Sequence, residues 1–311
     1  MTRQQGYSLV EILIASMLGL LLSSLILSTL YATVQSNNLK KAQETIQENA
    51  ALAFHFLAND LRSIGFNTCF SGSRDELNNL SNGVVGNQLI EFGGIEGNKY
   101  GYKKSDSITI IATLFPASEL LIAMSAVHSD LDLMDNNVQL GQELLLTDCN
   151  HAELFTVTGM WANSIGHESN MNNDANFNRI YHKGALLYPL SLISYKLARG
   201  VSGNTGLFRA FNNGRFQELV PNIEQLHIEY GESLEGQDLI KYSDANAVTN
   251  FSKVVGISLK ILMRSTDQVL SDAMTIEDAF GKISKLRDKH FYKMFTLHIA
   301  LRNKELIRES N

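Results

Sequence analysis

An uncharged, apolar run near the start of this 311-residue chain limits what the chain can fold into. From Ile12 to Val34 no residue carries a charge, and a helix of this length can cross the ~30 Å hydrocarbon core of a bilayer. The run is apolar on all faces, unlike a surface helix of a soluble protein. A cleaved secretory signal peptide is the alternative, but the run is too long and lacks a clear small-residue cleavage site after it. The pattern therefore favours a retained membrane helix.

One carboxylate, Glu11, stands at the start of this run. On insertion scales a carboxylate at the bilayer centre costs about 2.5–3.5 kcal/mol, so such a group usually has a partner. Glu11 either lies at the membrane interface, where it marks the helix end, or is paired inside an apolar environment. The residues alone leave both interpretations open.

The helical pattern continues past the apolar run but becomes amphipathic. Apolar residues recur three and four positions apart and predict a buried helix face formed by Leu39, Ala42, Ile46, Ala50, Ala53, Leu57, Leu61 and Ile64. Polar residues are expected off this stripe, namely Lys40, Gln43, Glu44, Gln47, Glu48 and Asp60. Gly65 supplies a C-terminal stop, so a helix of about 87 Å is predicted from residue 7 to residue 64.

A linker helix or a homodimeric coiled coil would show the same stripe. Phe54 and Phe56 widen the apolar surface beyond a narrow seam, which favours packing against a domain.

Strand patterns dominate from Phe66 onward. The predicted strands are Ile108–Thr113, Glu143–Leu146, Glu153–Thr158, Ser191–Leu197, Ile223–Tyr230, Val254–Met263 and Met294–Arg302. The segments GLFRAF and RFQELV flank Asn212, Asn213 and Gly214, which predicts a hairpin with positive φ in its turn. Asn163 to Asn178 is expected to be a long exposed loop, and Ser265 to Asp288 a loop with a short helix. The sequence thus predicts an α+β protein, a long N-terminal helix packed on an antiparallel β-rich head.

Composition and motifs exclude several functions. A net charge of −6 and a pI of about 5.8 give no indication of a nucleic-acid partner. No GxSxG, HExxH, Walker or CxxC motif occurs, so we predict no enzyme activity, cofactor or metal. His151 and His167 are expected to contact solvent. Two polar stretches invite a calcium interpretation but lack EF-hand spacing: Asp130, Asp132 and Asp135, and Asp174, Asn176 and Asn178.

The two cysteines are Cys69 and Cys149. In a cytosolic protein they would be buried free thiols, and in an exported protein they would form one disulfide.

The segment GYSLVE, from Gly6 to Glu11, resembles the class III signal of type IV prepilins. The resemblance implies that a prepilin peptidase cuts between Gly6 and Tyr7 and that Tyr7 is then N-methylated. It also implies that Glu11 neutralises the N-terminal amine of a neighbouring subunit in a filament. Tyr7 replaces the family's usual phenylalanine and keeps an aromatic ring. The physics agrees, because charges in a dry helical bundle are tolerable only when paired.

Three further segments are similar to the PilW class of minor pilins: QENAALAFHFLANDLRSIGFNTCF, TDCNHAELFTVT and IALRN. The resemblance implies a type IV pilin-like fold and a Cys69–Cys149 disulfide in the oxidising periplasm. It divides the chain into a leader (1–6), a transmembrane or filament-core helix half (7–34), an amphipathic periplasmic helix half (35–65) and a head (66–311).

A minor pilin of this class is expected to prime pilus assembly near the tip, and so to support piliation, twitching motility, adhesion or DNA uptake. Its implied partners are other minor pilins, the major pilin, the prepilin peptidase, the inner-membrane assembly platform and a large tip adhesin. The implied location is the inner membrane of a Gram-negative bacterium, with a cytoplasmic N-terminus and a periplasmic head, and then the pilus. The alternatives are a type II secretion pseudopilin and a signal-anchored periplasmic enzyme or receptor.

Overall fold

A computed structural model describes most of the chain. The described residues are 9–64, 68–70, 77–99, 101–113, 115–135, 137–233 and 240–301. Gly6, Tyr7 and Gly65, which the sequence marks as processing and helix-stop positions, lie outside these ranges.

The first element, α1, is one continuous helix of 54 residues, Leu9–Arg62. At 1.5 Å per residue it is about 81 Å long. The helix ends in a turn in which the Ser63 hydroxyl donates to the Asp60 carbonyl at 2.6 Å. The first half of α1 extends away from the head, and the second half packs on it.

A short second helix, α2 (Val84–Phe92), lies in the head. The strands that the structure describes are β1 Asn78–Asn79, β2 Ile95–Asn98, β3 Ser107–Thr113, β4 Ser118–Glu119, β5 Leu131–Asp132, β6 Glu143–Thr147, β7 Ala152–Thr156, β8 Gly159–Met160, β9 Ser164–Gly166, β10 Leu186–Arg199, β11 Thr205–Phe211, β12 Gln217–Pro221, β13 Ile223–Ser233, β14 Ile240–Asp244, β15 Val254–Gln268, β16 Met274–Glu277, β17 Ile283–Leu286 and β18 His290–Ala300. The predicted α+β architecture is confirmed.

The largest sheet is organised around β10 and has the order β1-β7-β6-β10-β11-β12, with β2, β3 and β4 attached at the other side of β10. The first part of β10 pairs antiparallel with β6, and its last part pairs antiparallel with β11. All seven predicted strands are present. The largest boundary differences are five residues each: β10 begins at Leu186 instead of Ser191, and β15 ends at Gln268 instead of Met263. The predicted hairpin is also confirmed, because β11 and β12 flank Asn212 and Asn213, both with positive φ.

A second sheet of four antiparallel strands, β14-β13-β15-β18, carries the second half of α1. Its inner face is apolar through the alternation seen in the sequence, with Leu226, Ile228, Leu259 and Ile261 fully buried. The outer face of this sheet is polar and is partly covered by the β16–β17 hairpin, which packs on Leu262 and Tyr292. The short helix predicted between Ser265 and Asp288 is therefore wrong, since β15 extends to Gln268 and the hairpin follows.

Helix α2 was not predicted from the sequence. It packs Leu89 on the large sheet, and its N-terminal N–H groups are capped by a residue distant in sequence. The Val85 and Gly86 N–H groups donate to the Glu143 carboxylate at 3.0 and 2.6 Å. A Cβ atom at Gly83 would collide with this carboxylate, so the cap requires glycine there.

A small three-stranded sheet, β5-β9-β8, closes the side of the head that includes the Asn-rich segment. This segment is not the exposed loop that the sequence predicts. Ile165, His167, Asn172 and Phe177 are all buried in it. The Asn172 side chain bonds to the backbone of Thr156 as a neighbouring strand would. It accepts from the Thr156 N–H and donates to the Thr156 carbonyl.

Candidate functional site

The first half of α1 is an exposed apolar surface. Every described side chain from Leu9 to Val34 is exposed in the single chain. Among the described residues, α1 is the one helix long and apolar enough to cross a membrane. Its hydrophobic surface needs lipid or other helices as a neighbour, because leaving it in water is unfavourable.

Hydroxyl groups in this half are satisfied within the helix itself. The side chains of Ser16, Ser23, Ser28, Thr29 and Thr33 each donate to a carbonyl three or four residues earlier, at 2.8–2.9 Å. These residues can therefore enter an apolar environment without an unpaired donor.

Glu11 lies in the first turn of α1 and is exposed. Its apolar neighbours in sequence, such as Leu9 and Ile12, are exposed as well. Its predicted partner, the N-terminal amine of a neighbouring subunit, belongs to another chain. The role of Glu11 thus stays a prediction, as do those of Gly6 and Tyr7.

The second half of α1 is anchored by a close-packed stripe. Ile46, Ala50, Ala53, Leu57 and Leu61 are buried against the four-stranded sheet and the neighbouring part of the large sheet. Alanine at two of these positions lets the helix backbone approach the sheet closely. Most of the predicted apolar stripe is therefore the buried face, although Leu39 and Ala42 at its start are only partly buried.

Asp60 is also part of the buried face, contrary to the sequence prediction. It is 2% exposed, and its carboxylate accepts from the Tyr195 hydroxyl at 2.6 Å and from the Arg209 guanidinium at 2.6 Å. The guanidinium in turn lies 3.9 Å from the Phe211 ring centroid. Burial, and next the hydrogen bond to Asp60, raise the pKa of Tyr195, so its hydroxyl stays a donor. This network, the Asp60 anchor, ties α1 to β10 and β11.

The spacing of the stripe could have located Asp60, since it follows Leu57 by three residues. Its partners carry no such signal, because neither Tyr195 nor Arg209 is marked by a motif.

The structure contains the Cys69–Cys149 disulfide, with the two Cα atoms 4.8 Å apart. Cys149 occupies the turn between β6 and β7 with a φ of +72°. Thr147 holds this turn, because its hydroxyl accepts from the Cys149 N–H at 3.0 Å and donates to the His151 carbonyl at 2.7 Å. The bond joins the segment that follows α1 to the large sheet.

We expect the double substitution Cys69→Ser and Cys149→Ser to lower the free energy of unfolding by about 2–4 kcal/mol, because the bond closes a long loop. Thermal unfolding of the full chain in detergent micelles, followed by circular dichroism, measures the change. The variant should be insensitive to added reductant, whereas the wild type should lose stability. Equal stability of oxidised and reduced wild type would contradict the prediction.

The family model described as "Type IV Pilus-assembly protein W" (PilW) matches residues 195–303. This confirms the predicted resemblance to PilW. The matched part, the PilW segment, contains Tyr195 and Arg209 of the Asp60 anchor and the strands of the four-stranded sheet.

A type IV-like pilin from Thermus thermophilus is similar in structure, with 9% sequence identity and a TM-score of 0.36. The similarity covers 83% of this chain and 96% of that one. No curated protein sequence matches the chain.

The PilW segment also forms most of a polar groove of about 700 Å³ on the outer face of its sheet. His227 lies in this groove, with Nδ1 2.7 Å from Asp106 and Nε2 3.4 Å from Asp244. Lys99 pairs with Asp244, and Lys260 lies 3.0 Å from Glu229. The described residues that line the groove include no Ser, Thr or Cys to act as a nucleophile beside the imidazole.

The two stretches considered for calcium do not assemble a metal site. Asp174 accepts from the backbone and side chain of Asn176 at 2.9 Å, and Asp132 accepts from the Ser164 hydroxyl. Over the ranges that the structure covers, no group of three or more His, Cys, Asp and Glu residues is arranged to hold a metal ion.

His167 does not contact solvent as predicted. Its ring is buried against Phe155 and Phe177, with Nε2 3.0 Å from the Ser129 carbonyl. Burial lowers the pKa of His167, so its neutral form is favoured.

Glu153, in β7, is a second buried acid and is 2% exposed. Its carboxylate accepts from the Asn78 side chain at 2.6 Å and from the Asn178 N–H at 3.1 Å. Burial raises the pKa of Glu153, and the hydrogen bond from Asn78 only partly opposes this change.

We expect Glu153→Gln to remove a pH-dependent part of the stability. A carboxyl whose pKa is higher in the folded state binds more protons when folded, so its contribution is fully present below the unfolded pKa. That contribution is lost as pH rises through the folded pKa. The wild-type-minus-variant difference in free energy of unfolding should therefore fall as pH rises above about 4, the usual pKa of a Glu carboxyl. Thermal unfolding across this range measures it, with exposed Glu48→Gln as the control, and a constant difference would count against it.

Proposed function

We propose that this chain is a non-enzymatic minor pilin of a type IV pilus. The observation that carries the proposal is the two-part helix α1. Its first half is apolar and exposed over Leu9 to Val34, and its second half is fixed to the head by the buried stripe and the Asp60 anchor. A helix of this kind can lie in a bilayer before assembly and among other helices in a filament afterwards.

The proposal assigns a role to each part of the N-terminus. The prepilin peptidase removes residues 1–6, Tyr7 becomes the methylated first residue, and Glu11 pairs with the amine of a neighbouring subunit. Residues 7–34 form the membrane and filament-core half, residues 35–65 the periplasmic half of the helix, and residues 66–311 the head. The Cys69–Cys149 disulfide suits an oxidising periplasm.

The size of the head supports a position at or near the pilus tip. A head of two main sheets, with a third small sheet at one side, would obstruct regular lateral packing along a filament. The subunit would then prime assembly together with other minor pilins, the major pilin, the assembly platform and a tip adhesin. Piliation, twitching, adhesion and DNA uptake would depend on it indirectly.

Mass spectrometry of the mature N-terminus tests the proposal. A chain that begins with N-methylated Tyr7 is the expected result. An intact Met1 would overturn the proposal and favour a signal-anchored periplasmic protein. Gold labelling of the head then tests the position of the subunit in the pilus. Uniform labelling along intact pili would exclude a role at the tip.

A further inference from the structure

One part of the head differs in charge from the rest of the chain. Residues 105–178 contain ten Asp and Glu residues and no Lys or Arg. Without these ten, the chain retains 22 of its 32 acidic residues against 26 basic ones, a net charge of +4. The strand β3, at the start of this stretch, packs against α1. Most of the stretch after β3 surrounds a separate apolar core, which includes Leu131, Phe155 and Ile165. It lies outside the PilW segment.

Three of these ten acidic residues share one sheet face with exposed apolar residues. Leu120 pairs with Leu133, and Leu131 pairs with Ile165, and all four side chains are buried. Because side chains alternate along a strand, the neighbours of these residues lie on the opposite, outer face. That face carries Glu119, Leu121, Asp130, Asp132, Met134 and Trp161, and we name it the acidic sheet face.

Trp161 is a preformed aromatic group on this face. A Cβ atom on Gly159 or Gly166 would lie 2.7 Å or 3.1 Å from its ring, so the ring rests directly on the backbone of two glycines. The same position on Gly166 is 3.4 Å from an Asp130 carboxylate oxygen, which places acid and ring side by side. Trp161 is 52% exposed and Met134 is 52% exposed. Tryptophan and methionine are enriched in protein interfaces, and a fixed ring loses little entropy on binding.

We propose that the acidic sheet face is a docking surface for another protein, one that presents Lys and Arg around an apolar centre. Charge complementarity selects this occupant. Anionic lipid and nucleic acid would be repelled by Asp130, Asp132 and Glu119, and so would the same face of a second copy. The inference concerns the head alone and does not depend on Glu11, on processing or on filament assembly.

Photo-crosslinking in cells tests the surface with the full chain. The probe is p-benzoylphenylalanine introduced at Met134, with the same probe at Ile283, an exposed residue of β17, as the position control. We expect the Met134 probe to crosslink a different protein through a peptide that contains Lys or Arg. In membrane preparations the yield should fall about threefold or more when salt is raised well above physiological strength, because salt screens exposed charges.

Charge reversal gives an independent reading. Asp130→Lys should reduce the Met134 crosslink about fivefold or more, and Asp130→Asn should reduce it less. Asp272→Lys, which makes the same charge change at an exposed distant site, should leave it unaltered. Crosslinks to lipid alone or to a second copy, or a yield that responds to neither salt nor Asp130, would overturn the proposal. The measurements at different salt concentrations use the chain with native Asp130. The proposal therefore stays testable even if the Asp130→Lys variant misfolds.

Discussion

Replacing Glu11 with leucine should reduce incorporation of the chain into pili on the order of 100-fold, without preventing membrane insertion. In the proposed filament, the substitution leaves a neighbour's N-terminal amine unpaired among apolar helices. Removing one member of a buried ion pair costs about 3–5 kcal/mol, and the lower end of this range already corresponds to a factor of about 100 in an assembly equilibrium. Glu11→Gln can still accept a hydrogen bond and should have a smaller effect. Quantitative immunoblots of sheared pili and of membranes measure the two pools.

Ser16→Ala is the matched control for Glu11. Ser16 lies in the same exposed half of α1, but its hydroxyl bonds only to the Leu13 carbonyl. Its loss should leave both pools unchanged. If the Glu11→Leu variant enters pili in wild-type amounts, this carboxylate has no role in assembly, whether or not residues 1–6 have been removed.

The Asp60 anchor, which joins α1 to the head, should be a sensitive site for stability. Asp60→Ala leaves the Arg209 guanidinium and the Tyr195 hydroxyl without their shared acceptor, in a site where Asp60 is 2% exposed. Stranding a buried charge in this way should lower the free energy of unfolding by about 3–5 kcal/mol. Thermal unfolding of the full chain in detergent micelles is the measurement, with exposed Glu44→Ala on the same helix as the control.

A double substitution distinguishes stranded charge from lost packing. Asp60→Leu combined with Arg209→Met replaces both charges by apolar groups, and this should restore the part of the stability that Asp60→Ala loses to the stranded guanidinium. The Tyr195 hydroxyl still lacks its acceptor in both variants. Buried ion pairs replaced as a unit are often neutral in effect, whereas half-removed pairs are not. A double variant as unstable as Asp60→Ala would show that packing, not charge pairing, makes the site important.

Local sequence patterns were sufficient to predict the structural features that depend on residues close together in the chain. The uncharged run from Ile12 to Val34 and the stripe after it determine the long helix, because both repeat at helical spacing. The Asn212–Asn213 turn determines a hairpin, since its residues tolerate positive φ. The strand predicted at Val254–Met263 follows from alternation of apolar and polar side chains, although β15 extends further, to Gln268.

Tertiary structure alone decided what the polar residues do. Asp60 lies inside the core because Tyr195, 135 residues away, and Arg209 meet it there. The start of α2 is fixed by Glu143, and the Asn-rich segment is buried because Asn172 bonds to Thr156. A buried polar group is stable only if partners satisfy it, and those partners come from strands that the chain brings together after long intervals. The spacing of apolar residues along a helix or strand indicates which of its faces is buried. It does not indicate which distant residue contacts that face.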